Sequence, residues 1–156
     1  MRQSSRRGMT LVELIVAFTI MALLATMAVP LARYKVRRDR ERELRFALRE
    51  MRTAIDKYKD LADAGQIPPT ETTLDADGYP TSLDQLVDGV KLAGTVDKKI
   101  RLLRRVPKDP FSNSVEWGKR STRDDPKSTS WGGQNVFDVY TKSMEKAGDG
   151  TPYSEW

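Results

Sequence analysis

Hydropathy divides this chain into a long apolar run, an amphipathic stretch and a mixed remainder. Residues 9–32 hold 24 positions with one formal charge, Glu13. As a helix rising about 1.5 Å per residue, that run measures about 36 Å, enough to cross a hydrocarbon core of about 30 Å. Past residue 32 the chain turns polar but meets no Gly or Pro until Gly65, so the helix is expected to continue. In this continuation Leu44, Leu48, Met51, Ile55, Tyr58 and Ala62 recur at alternating spacings of four and three, with Ala47 and Ala54 beside them. That is one apolar face of an amphipathic helix, suited to packing against a small sheet. The other faces are charged, with Glu41 and Arg45 in the favourable acid-first order at i and i+4, and Arg52 and Asp56 in the weaker order.

Residues 63–83 are rich in turn formers and end the helix. Ser82 followed by Gln85 is a capping-box pattern, and Leu83, Leu86, Val87 and Val90 supply the apolar face of a short helix. Pro107 and Pro110 fix the backbone on either side of Lys108 and Asp109, which predicts a rigid turn. "SVEWGKR" and "NVFDVYTKS" are rich in β-formers and read as antiparallel strands separated by the polar loop 121–134. Trp117, Trp131, Phe137, Tyr140, Tyr153 and Trp156 read as core and loop-packing aromatics. The fold class is therefore α+β, a long N-terminal helix with a small antiparallel sheet.

A chain of 156 residues has room for one domain and an anchor. Lys and Arg number 27 against 22 Asp and Glu, but Arg2, Arg6 and Arg7 precede Gly8, and without them the balance is 24 to 22. The basic character thus gives little reason to expect nucleic acid as a partner. The run Arg101, Arg104, Arg105 and Lys108 has no interleaved aromatics and reads as a solvated or subunit-contacting face. There is no Cys and no His, which excludes disulfides, thiolate or imidazole metal sites, and every triad or dyad built on those residues. A metal would have to be a hard, oxygen-liganded ion.

The apolar run is too long for a secretory signal peptide, and "ATMAVP" offers no Ala-x-Ala cleavage site. A plain signal anchor leaves Glu13 unexplained, because a charge deep in a bilayer costs about 2.5–3.5 kcal/mol even on mild insertion scales. The stretch "RRGMTLVELIVAFTIMALLATMAVP" resembles the class III leader and N-terminal helix of type IV pilins and of the pseudopilins of type II secretion systems. The resemblance implies cleavage after Gly8 by prepilin peptidase, N-methylation at Met9 in place of the usual Phe, and a role for Glu13 in assembly. Glu13 would compensate the new ammonium of Met9, on its own chain or on an adjacent one. Pro30 matches the proline that interrupts the family's helix, and a kink or local unwinding is expected between Thr26 and Pro30. One rule disagrees: Arg33, Lys35, Arg37, Arg38, Arg40 and Arg42 crowd the far side of the run, and counting cations puts the head in the cytoplasm. The family places it in the periplasm, anchored by a single pass of the bacterial inner membrane.

In the head, "YPTSLDQLV" followed by "VPKDPFSN" is similar to the major pseudopilins of type II secretion. Tyr79, Pro80, Thr81, Pro107, Lys108, Asp109, Pro110 and Asn113 match that pattern, with Phe111 in place of Trp and Ser112 in place of Gly. Those subunits bind calcium in a C-terminal loop; here Ser143, Asp149 and Gly150 are kept, but the following Gly-Gly and acidic pair are missing. Ser143 and Asp149 are the calcium candidates, and two or three oxygen ligands are fewer than the six to eight that calcium takes; no other cofactor is expected. The resemblance implies a pilin fold organised as leader 1–8, filament-core helix 9–32, amphipathic helix 33–64 and head 65–156. It further implies a non-enzymatic subunit that polymerises with copies of itself and works with minor pseudopilins, an inner-membrane platform and a cytoplasmic ATPase. A surface type IV pilin for adhesion, motility or DNA uptake, and a membrane-anchored binding module, are the alternatives.

Overall fold

The structure, a computed structural model, describes residues 10–69, 74–94 and 99–156, without the side chains at 27–29, 31 and 74. Two compact units divide it, Met1–Asp39 and Arg40–Trp156. Helix α1, Leu11–Asp63, contributes to both and contains Pro30 within its span.

In the first unit every described side chain is exposed, including Leu11, Val12, Leu14, Ile15, Phe18, Met21, Leu23 and Leu24. Thr19 and Thr26 donate their hydroxyls back to the carbonyls of Ile15 and Leu23, at 2.8 and 2.7 Å. Those bonds hide both polar groups against the helix backbone, leaving an apolar cylinder. Among the described residues, no helix is long and apolar enough to cross a membrane. The run expected to do so includes Met9 and the side chains at 27–29 and 31, which lie outside the described residues.

The second unit is built on the amphipathic half of α1. Leu44, Leu48, Met51, Ile55 and Tyr58, with Ala47 and Ala54, are buried as their spacing predicts, and Ala62 packs at the margin. Against them lie Ile67, Leu83, Leu86, Val90, Leu103, Trp117, Val136, Val139 and Tyr153. Gly65, with φ +67°, follows the end of the helix in the left-handed conformation that suits a glycine.

Helix α2, Leu83–Asp88, begins where the capping box predicts. Ser82 Oγ accepts the N–H of Gln85 at 3.3 Å, while Gln85 Oε1 accepts the N–H of Thr81 at 3.0 Å. Val90, expected on this helix, instead opens strand β1, Val90–Lys91. Gly89 has φ +89°, so the helix stops there and Val90 pairs with Ile100 of β2, Lys99–Ile100. Strands β3, Gly118–Arg120, and β4, Asp138–Tyr140, pair antiparallel with Gly118 opposite Tyr140. Both are shorter than the sequence pattern predicts, because flanking amides bond elsewhere: Val136 donates to the Pro80 carbonyl at 2.7 Å. Gly118 is required by its neighbour, since a Cβ there would stand 2.2 Å from the Tyr140 ring.

The turn predicted around Asp109 is closed by that residue's own carboxylate. Asp109 is 1% exposed and accepts from the Phe111 N–H (2.9 Å), the Ser112 hydroxyl (3.0 Å) and the Thr141 hydroxyl (2.5 Å). Trp117 adds a bond from its indole N–H to the Pro107 carbonyl at 2.9 Å. The turn is thereby fastened to the segment that follows β4, where a buried acid has the hydrogen bonds it needs.

Candidate functional site

Two places concentrate polar chemistry in otherwise apolar surroundings: the start of α1 and the seam where the C-terminal segment meets the amphipathic half of α1.

At the first, Thr10 donates its backbone N–H (3.0 Å) and its hydroxyl (3.1 Å) to Glu13 Oε2. Thr10 Oγ1 in turn accepts the N–H of Glu13 at 3.3 Å. This is a reciprocal capping box, with Thr10 at the cap and Glu13 in the first turn, where the helix dipole also favours a negative charge. The Thr-x-x-Glu spacing was present in the sequence but was overshadowed by the apolar run around it. Glu13 is thus held at a defined position beside the helix start. Gly8 and Met9, the expected cleavage and methylation residues, lie outside the described residues.

The seam of the second unit gathers residues that sequence separation had hidden. Spacing alone pairs Arg52 with Asp56; in the structure its Nε donates to Asp138 Oδ1 at 2.7 Å, 86 residues away. Its terminal NH2 donates to the carbonyls of Trp156 (2.7 Å) and Val139 (3.2 Å). Tyr153, fully buried, donates its hydroxyl to Glu41 at 2.8 Å, stacks on Phe111 at 4.3 Å and meets Trp156 edge-on at 4.8 Å. Tyr140 and Trp117 are buried as expected, whereas Trp131 and Phe137 are exposed. Arg104, Arg105 and Lys108 are exposed on a shallow groove that Phe46 and Val115 also line.

The two calcium candidates do not converge with other acids. Ser143 Oγ accepts the N–H of Glu145 at 3.2 Å, and Asp149 Oδ1 accepts the N–H of Thr151 at 2.9 Å. That N–H holds the Asp149 carboxyl below the usual carboxylate range. Among the described residues no three acidic side chains gather into a group that could hold a metal ion. Ser143 and Asp149 themselves supply two side-chain oxygens, short of the six to eight that calcium takes.

A long N-terminal helix followed by small antiparallel sheets in an α+β arrangement is the architecture of a pilin-like subunit. Residues 3–29 match the family model described as the prokaryotic N-terminal methylation motif. The chain is also 29% identical over 123 residues to the type II secretion system core protein G of Klebsiella michiganensis, an alignment covering 74% of this chain and 75% of that protein. No solved structure matches it. Both likenesses point to a pseudopilin-like chain, a structural subunit and not an enzyme.

Proposed function

We propose that this chain is a structural subunit of a type II secretion pseudopilus, cleaved after Gly8, N-methylated at Met9 and polymerised from the inner membrane with its head in the periplasm. The observation that carries the reading is the joint occurrence of the methylation motif at 3–29 and the likeness to core protein G, which covers 74% of the chain. The exposed apolar cylinder from Leu11 to Leu24 supports it, because a helix hydrophobic all round needs lipid or other helices about it.

In this mechanism cleavage creates an ammonium at Met9, four residues before Glu13. Each charge alone is costly in a low-dielectric setting, and pairing them removes most of that cost. Thr10 keeps the Glu13 carboxylate in place until the amine of an incoming subunit reaches it, which sets the stagger between neighbouring helices. Pro30 lacks the N–H that the Thr26 carbonyl would accept, so it is the point where the helix bends or loosens on packing. Prepilin peptidase processes the chain; minor pseudopilins, an inner-membrane platform and a cytoplasmic ATPase serve its assembly, and the growing filament drives export across the outer membrane.

The test pairs N-terminal mass analysis of the native protein with a Glu13→Ala strain. A chain starting at N-methyl Met9, with processing kept but filaments lost in the mutant, supports the mechanism. An uncleaved start, or normal filaments without Glu13, overturns it. The same motif serves surface type IV pili, so a deletion strain that secretes normally but loses long extracellular fibres assigns the chain there instead.

A further inference from the structure

The seam that closes the head is held by two arginines that share one carboxylate. Asp138 offers both carboxylate oxygens, one to Arg52 Nε at 2.7 Å and the other to the Arg120 guanidinium at 3.4 Å. Arg120 is buried, its side chain only 7% exposed, and it spends its remaining donors on the carbonyls of Ser128 (3.0 Å) and Ser154 (3.2 Å). Its guanidinium also lies 4.1 Å from the centre of the Tyr140 ring. Arg45 covers the Trp156 ring at 4.2 Å. The carbonyls of Val139, Ser154 and Trp156 and the Asp138 carboxylate are oxygens of the kind calcium selects, and each accepts from a guanidinium.

We infer that Arg52 and Arg120, bridged by Asp138, fasten the C-terminal segment to α1 by occupying the oxygens a divalent cation would need, so the head closes without metal. Guanidinium suits the task because its donors form a planar fork that reaches several oxygens at once. An incoming dication would face Arg45, Arg52 and Arg120 and would have to displace their hydrogen bonds to find ligands. Ser143 and Asp149 each accept a backbone N–H within a turn of their own and together supply two side-chain oxygens, short of the six to eight that calcium takes. The inference rests on the geometry of the second unit and stands whether or not the chain polymerises.

The experiment is thermal unfolding of the full chain in detergent, in EGTA and in millimolar calcium chloride, with calorimetric titration of calcium chloride alone. The midpoints are expected to agree within about 1 °C, with no binding heat; a calcium-dependent rise that EGTA reverses overturns the proposal. Arg52→Met is expected to lower the midpoint by about 5 °C or more, with calcium unable to restore it. Arg52→Lys, which keeps the charge but not the fork, should fall between the two. An Arg52→Met midpoint equal to wild type also overturns the proposal. If that variant does not fold, the calcium and EGTA comparison on the wild type decides alone.

Discussion

Leu24 and Leu44 lie on one helix and meet opposite surroundings: the first is 64% exposed, the second not at all. Residues 14–26 are apolar on all sides, with every large side chain there exposed, whereas those from 44 to 58 gather most of their apolar members on one stripe and bury them. An apolar stripe is satisfied by the chain's own loops and strands. An apolar cylinder has no inside to turn toward, so its burial must come from lipid or other helices. One continuous element thus carries two kinds of information, one about folding and one about association.

The widest separation between the halves should come from matched truncations. Leu44→Ala is expected to cost about 2–5 kcal/mol in urea unfolding of the purified chain, and Leu24→Ala no more than about 0.5 kcal/mol. Equal effects would erase the distinction. Asp109→Ala should come next, at about 2–3 kcal/mol, because it leaves the Thr141 hydroxyl and the Phe111 N–H without their acceptor. Asp109→Asn, which keeps one acceptor oxygen, should recover part of that loss. The two capping boxes sharpen the contrast further. Ser82→Ala should cost about 1 kcal/mol of head stability, while Thr10→Ala leaves the unfolding midpoint unchanged and, on the proposed mechanism, alters assembly.

The smallest expected effect is a response to acid confined to the second unit. Asp124 is held below the usual carboxylate range first by the N–H of Ser121 and then by that of Gly132, at 2.7 and 3.1 Å, and Asp149 by that of Thr151. A depressed folded pKa contributes stability above the unfolded value, near 3.9, and that contribution is lost as pH falls through the folded one. Amide exchange in 121–133 and 147–151 should therefore quicken as pH drops below about 4, after correction for intrinsic rates, before the core responds. Lys59 gives the opposite sign. Its hydrogen bond to Asp63 raises its pKa, so its contribution is complete below about 10.4 and fades as pH climbs through the raised value.

Periodicity revealed the buried face of α1, and spacing revealed the cap of α2, because both are local rules. The Asp109 turn was legible as a rigid turn but not as a buried acceptor, since Thr141 lies 32 residues away in sequence. The Arg52 and Asp138 pair was out of reach for the same reason, and the local partner Asp56 offered a simpler reading. Apolar spacing alone extends the helix to Val90; Gly89, with φ +89°, is the residue that ends it. The cap at Thr10 is obscured for another cause, a single polar residue beside a long run of apolar ones.

The close fit of Tyr140 over Gly118 has a consequence in time. With backbone under the ring and a guanidinium 4.1 Å from its centre, the ring has little room to rotate about its long axis. Its half-turns are expected to require β3 and β4 to part. Slow exchange between the two edges of that ring in a nuclear magnetic resonance spectrum would therefore clock the opening of the head from within, with no label added.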